Sequence, residues 1–192
     1  MSGDASARSP VDLVRAHAAV GAARAQDRVD AATLSQALHA QATAERDAGH
    51  QLQVVRAAEE ALLLDNRQDP VRMLELRLLL AQALSELSLD AEALHEAQAA
   101  FDAARQARSY VPTVRALSML GALYGRLGDH DQAHELLMQA LSRARELQDA
   151  AAIRTARNNL VGFLSTAAMR QADATGPPQA LRVQLQLHAK AL

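Results

Sequence analysis

The chain has 192 residues, 49% of them hydrophobic but only 2% aromatic, with a net charge of −2, no cysteine, five prolines and eight glycines. That composition excludes a disulfide framework or a thiolate metal site, gives no basic excess for a nucleic-acid partner, and supplies too few turn formers for an all-β chain. The polar start MSGDASARSP is no secretory leader, no apolar run of about 18 residues is present to span a membrane, and the lack of cysteine fits the cytoplasm.

Ala and Leu dominate, both strong helix formers, and an all-α fold is expected. Residues 1–8 are expected to be disordered. Ser9-Pro10 pairs a cap with a first-turn proline and opens a helix over 10–27, with Leu13, Val14 and Val20 inward. A second helix starts near Asp30 and carries Leu34, Ala37 and Leu38. A third follows Gly49, with Leu52, Val55, Ala58, Ala61 and Leu62 inward. Asp69-Pro70 repeats the cap-plus-proline signal for a fourth helix ending near Leu87. The fifth spans Asp90 to Ala107, and Pro112 opens the sixth. Leu127-Gly128-Asp129 is a stop, because Gly tolerates the left-handed backbone that ends helices. The seventh helix follows it. The eighth runs from Ala150 to about Met169, and 171–178 reads as a loop broken at Thr175-Gly176-Pro177-Pro178. A ninth helix is expected in LRVQLQLHAKAL, at 181–192.

Helix starts near 10, 30, 50, 70, 90, 111, 130 and 150 give a period of 20 per helix and 40 per pair. The register holds by residue. Leu80, Leu120 and Leu160 correspond, as do Leu84, Tyr124 and Leu164. Ala93 matches Ala133, Ala100 matches Ala140, and Phe101 matches Leu141. With one inserted residue, Val54 and Ala61 take the places of Ala133 and Ala140. Small residues at Gly121 and Ala133 mark a close helix approach. Ala81 holds the place of Gly121, but Val161 does not, so looser packing is expected in the last pair.

In the central unit, Val114 to Asp149, the residues Leu120-Gly121, Tyr124, Gly128, Ala133, Leu137 and Ala140 fall in order and spacing. This unit resembles the tetratricopeptide repeat (TPR) family. Leu117 stands where the family prefers Trp, the closing Pro is missing, and the period exceeds the usual ~34 residues. The resemblance covers about 30–192 and is strongest in the middle. It looks like the 40-residue subtype found in bacterial signalling and regulatory proteins. It implies an α-solenoid of antiparallel helix pairs, a right-handed superhelix of about nine helices. The pairs are expected at about 30–67, 70–107, 111–147 and 150–192, all within one domain over 9–192, and 10–27 is expected to be a capping helix.

Residue patterns offer little chemistry. His130 and His134 stand four apart, a spacing that suits two metal ligands. Asp131 replaces the Glu of a zinc protease and no third ligand is evident, so solvent-facing histidines are expected and no metal site. Gly121, Gly125 and Gly128 follow no strand, which argues against a phosphate loop. Glu59-Glu60 and His95-Glu96 diverge around a helix and read as solvated faces. No GxSxG elbow is present. The expectation is a chain that is no enzyme and needs no cofactor.

The TPR resemblance implies a binding groove on the first helix of each pair. Its positions fall at Ser118, Met119, Ala122 and Arg126 in the central unit. They fall at Leu78, Leu79, Gln82 and Glu86 before it, and at Asn158, Asn159, Gly162 and Thr166 after it. The expected partner-binding set is Asn158, Asn159, Arg126, Met119, Gln82 and Glu86. Asn158-Asn159 leads because an amide both donates to and accepts from a peptide backbone. The set of basic residues by which relatives clamp a C-terminal carboxylate is not matched.

Two functions follow. One is a non-catalytic scaffold that binds a protein or peptide in the groove. The other is the sensory or dimerising N-terminal part of a bacterial regulator, with a diguanylate cyclase or transcription-control domain beyond Leu192. Self-association is the partner mode of this second reading, and the unshielded apolar face of 181–192 is its ground.

Overall fold

A computed structural model of the chain describes residues 9–25, 30–64 and 69–175. Regular structure among them is entirely helical. It comprises α1 (Ser9–Arg24), α2 (Ala31–Asp47), α3 (Gln51–Leu64), α4 (Pro70–Glu86), α5 (Asp90–Gln106), α6 (Tyr110–Leu127), α7 (His130–Glu146) and α8 (Ala150–Thr175). The chain divides into two compact units, Met1–Pro112 and Thr113–Leu192.

The helices begin and end for local reasons. Asp30 caps α2 and Asp69 caps α4, the latter accepting from the amides of Val71 at 3.1 Å and Arg72 at 3.0 Å with Pro70 in the first turn. Asp129 and Asp149 do the same for α7 and α8. Each cap satisfies amides that have no partner inside the helix. At the other ends a single residue turns left-handed: Gly49 (φ 78°), Ser88 (63°), Arg108 (50°), Gly128 (91°) and Gln148 (53°). The next amide then closes back on the helix, as Leu89 N does on the Leu84 carbonyl at 2.9 Å.

In the first unit α2 pairs with α3 and α4 with α5, while α1 lies on α2, α3 on α4, and α2 on α4. In the second unit α7 packs on α8, and Gly121 brings α6 against α7. The seams are made of alanine. Ala93, Ala97, Ala100 and Ala104 on α5 are fully buried, as are Ala133, Leu137, Ala140 and Ala144 on α7. Val54, Ala58 and Ala61 fill the same register on α3. Leu80, Leu120 and Leu160 are buried, and so are Leu84 and Leu164. A 20-residue helix period with small residues on one face thus sets how closely each pair can approach.

Several expectations need correction. Pro112 stands inside the first turn of α6, which starts at Tyr110. A proline there removes an amide that no carbonyl awaits. The eighth helix does not stop near Met169 but runs to Thr175. Nothing before Gly176-Pro177 in the sequence breaks it, so 171–175 is helix and not loop. Val14 and Leu52, expected inward, are 70% and 60% exposed. Both stand on the solvent-facing side of their helices. Residues 1–8, the ends of the expected segments at 26–27 and 65–67, and the ninth helix lie outside the described residues.

Candidate functional site

The expected groove positions separate by burial. Leu78, Leu79 and Ser118 are buried, at 4%, 3% and 3% exposure, and face the core rather than a ligand. α4 is apolar on most of its circumference, so leucines just before the register position are consumed by packing. In the first unit, Gln82 and Glu86 are paired with each other along α4, Nε2 to Oε1 at 3.0 Å. Met119 is half-buried on α6 and does not line the cleft described next.

In the second unit the remaining positions come together. Ala122, Gly125 and Arg126 of α6 and Asn158, Asn159, Gly162 and Thr166 of α8 line one open cleft of about 290 Å³. Helical spacing explains the grouping, since 122 and 126, and 158, 162 and 166, each differ by four. The floor is apolar. The Phe163 ring lies where a Cβ on Gly125 would stand 3.1 Å from its Cδ2, so the missing side chain makes room for the ring. His130 tilts against the same ring at 6.0 Å between centroids. Arg170 reaches from α8 toward the Gly125 carbonyl at 3.5 Å, and Ala167 completes the wall. Phe163, His130 and Arg170 were absent from the expected set. Phe163 follows Asn159 by four and Arg170 follows Thr166 by four, a helical spacing that could have added both, whereas His130 opens α7 beyond the turn and is not in register with Arg126.

The cleft holds amides, guanidiniums, an imidazole and an aromatic face. Its lining contains no carboxylate, and the Thr166 hydroxyl donates to the Gly162 carbonyl at 3.0 Å within its own helix. This is chemistry for recognition, with donors and acceptors set around an apolar floor. Among the described residues no three His, Asp or Glu side chains gather as a metal site, and no helix is long and apolar enough to cross a membrane.

A second polar cleft, of about 260 Å³, lies in the first unit between α1, α2 and α3. Its deepest group is Glu45, 1% exposed. His17 of α1 meets Glu45 Oε1 at 2.5 Å, and His50 Nδ1 meets Oε2 at 2.8 Å. Burial pushes this carboxyl up, but hydrogen bonds from His50, His17 and Gln41 outweigh it and hold it below the ordinary glutamate range. Nearby, Arg24 of α1 forks onto Glu60 of α3 with both bonds at 2.6 Å. On the next pair Arg77 reaches Glu96 at 2.5 Å. Glu60 and Glu96 thus tie helices together, Glu60 while still 42% exposed, and Glu59 and His95 are exposed. A carboxylate committed on both oxygens to neighbouring helices is structural.

No protein-family model matches the chain, and no curated protein matches it. Solved structures do. A crystal structure of a single-substitution form of the Podosopora anserina putative kinesin light chain nearly identical TPR-like repeats aligns over 95% of this chain and 87% of its own, with a TM-score of 0.71 and 16% identity. A second structure of those repeats aligns over 96% and 88%, with a TM-score of 0.69 and 16% identity. BtubC (BKLC) from P. vanneervenii aligns over 96% of this chain and 74% of its own, with a TM-score of 0.66 and 16% identity. The fold is TPR-like. The TPR-like repeats explain why register residues 40 apart share burial: each pair repeats the packing of the one before.

Proposed function

We propose that this chain is a non-catalytic scaffold that binds an extended peptide, a segment of a partner protein, in the cleft between α6 and α8. The observation that carries this is the convergence of Asn158, Asn159 and Arg126 on one open cleft floored by Phe163. Paired amides can hold a peptide main chain by donating to its carbonyls and accepting from its amides, while the ring takes an apolar side chain. TPR-like repeats are in general interaction scaffolds, and that supports the reading. Met119, Gln82 and Glu86 lie outside this cleft.

The test uses the full chain against a bead-displayed library of random dodecapeptides. Asn159→Ala with Arg126→Ala is expected to cut recovery about tenfold or more, the loss of one or two hydrogen bonds to a bound chain. Helix content by circular dichroism stays unchanged, because both side chains are exposed. Recovery that survives the double change overturns the cleft as the site.

A second reading has its own observation. Val11 and Val14 stand 58% and 70% exposed on one face of α1, and this favours a self-associating region of a bacterial cytoplasmic regulator of the 40-residue subtype. Light scattering over a range of concentrations separates the two. A dimer lost in Val11→Ser with Val14→Ser supports self-association through α1, and a constant monomer mass overturns it.

A further inference from the structure

Among its described residues the second unit has three glycines inside helices, and they are not equivalent. A Cβ on Gly121 would stand 2.7 Å from Leu137 Cγ and 3.1 Å from the Ala133 carbonyl oxygen. A Cβ on Gly125 would stand 3.1 Å from the Phe163 ring. Packing explains both. Gly162 has nothing within 4 Å among the described residues and no positive φ. Among the described residues neither packing nor backbone geometry accounts for a helix-weakening residue in the middle of α8. Gly21 of α1 is equally open, but it lines none of the clefts described above. Gly162 lines the cleft with Asn158 one turn before it and Thr166 one turn after. Its bareness leaves room for another backbone to lie directly on the helix.

Charge gives the second half of the inference. The chain carries 22 acidic and 20 basic residues, so an average stretch of surface has both signs. The lining of this cleft has Arg126, Arg170 and His130 and no carboxylate. A basic rim over an apolar floor selects against a basic chain and favours a negative one, and its effect is strongest where the walls keep water out.

We infer that the cleft between α6 and α8 takes an acidic segment of an extended peptide, its main chain laid against Gly162 and its carboxylates turned to Arg126 and Arg170. The inference rests on the peptide-binding reading above and specifies its ligand. Asn158 and Asn159 hold the main chain beside Gly162. The guanidiniums supply forked donors that match a carboxylate. The carboxylates belong to side chains along the segment.

The experiment screens the same dodecapeptide library against the wild-type chain, Gly162→Leu, Gly162→Ala, and Arg126→Glu with Arg170→Glu. The expected result is a wild-type pool enriched in Asp and Glu. Its recovery falls at least about tenfold in Gly162→Leu and in the charge reversal, and by less in Gly162→Ala. It also falls as salt rises, because exposed charge pairs are screened. Gly162→Ala doubles as the folding control, since a smaller loss of capture with an unchanged or raised melting temperature separates blocked access from unfolding. A neutral or basic pool that is lost in Gly162→Leu overturns the acidic ligand and leaves the peptide site standing. A pool indifferent to Gly162→Leu, or no enrichment at all, overturns both.

Discussion

At the end of α4 the residue whose carbonyl accepts the closing amide of the turn is Leu84, buried at 7% exposure and followed five residues on by Leu89. At the end of α2 the same role falls to Glu45, and the residue five on is His50. The backbone does the same thing in both places, with the closing bond at 2.9 Å in each. The side chains do opposite things. Where one turn buries an apolar residue, the other buries a carboxylate held by two imidazoles, one of them on a helix 28 residues earlier. The repeat therefore requires a filled position there and not an apolar one. It accepts a charge because every oxygen of that charge has a donor. What the charge adds is address: only a correctly docked α1 brings His17 to Glu45.

The largest effect should come from breaking that arrangement on one side. His17→Ala with His50→Ala leaves a carboxylate buried with only Gln41 to serve it, and is expected to cost about 3–5 kcal/mol in urea unfolding. Glu45→Leu makes this turn like that of α4 and is expected to be neutral or stabilising, since an apolar residue of similar size escapes the desolvation penalty. The pH dependence has a definite sign. The folded carboxyl is held below its usual value, so its contribution is full above the ordinary glutamate pKa of about 4.3 and is lost as pH falls through the lower folded value. Stability measured against pH should thus shift in favour of Glu45→Leu on acidification. A double histidine variant as stable as wild type would mean that the two turns are equivalent after all.

The second unit sharpens the comparison, because there closeness is achieved by removing side chains. Gly121→Ala sets a methyl 2.7 Å from Leu137 Cγ, which is a branch point and not a flexible tip, and 3.1 Å from a backbone oxygen. The expected loss is about 1–3 kcal/mol, the usual cost of overpacking, and it offsets the helix propensity that Ala brings. Gly125→Ala meets the Phe163 ring edge at 3.1 Å and the Ala133 Cβ at an ordinary 3.6 Å, and its loss should be smaller. Equal unfolding midpoints for both variants and wild type would show that α6 is not pinned by its glycines.

The difference between these regions also decides what could be read from the sequence. Leu120, Leu160, Ala93, Ala133 and Ala140 were legible because apolar and small residues recur at fixed spacing and burial follows spacing. The cap at Asp69 was legible from its chemistry, and the stop at Gly128 from its glycine, but the cap that Asp129 provides was not read. The left-handed turn residues Ser88, Arg108 and Gln148 carry no glycine signal, and the 20-residue period places only the helix boundaries near them. Leu78, Leu79 and Ser118 were misplaced on the groove because the family register says which face a position occupies, not how far the neighbouring helix covers it. Glu45 was illegible as a core residue. Its burial depends on His17 and His50, which are distant in sequence or of a type that seldom marks a core. In the cleft, Asn158, Asn159 and Arg126 could be named from register. Phe163 and Arg170 sit at the same four-residue spacing on α8, but spacing alone does not show that they meet the bare backbone of Gly125.

Gly162→Ala is the smallest change in this series and the one whose sign separates packing from function. Its methyl would meet nothing within 4 Å among the described residues, so none of them opposes it. Ala restricts the unfolded chain more than Gly and favours the helix, and the expected gain is about 0.5–1 kcal/mol. The same substitution thus destabilises at Gly121 and stabilises at Gly162, two helical glycines of one unit. A glycine whose replacement makes the protein more stable is one that folding does not ask for. Urea midpoints of the two variants measured side by side give the answer. If Gly162→Ala is also destabilising, the residue is held by packing, and the case for a ligand backbone against α8 loses its first support.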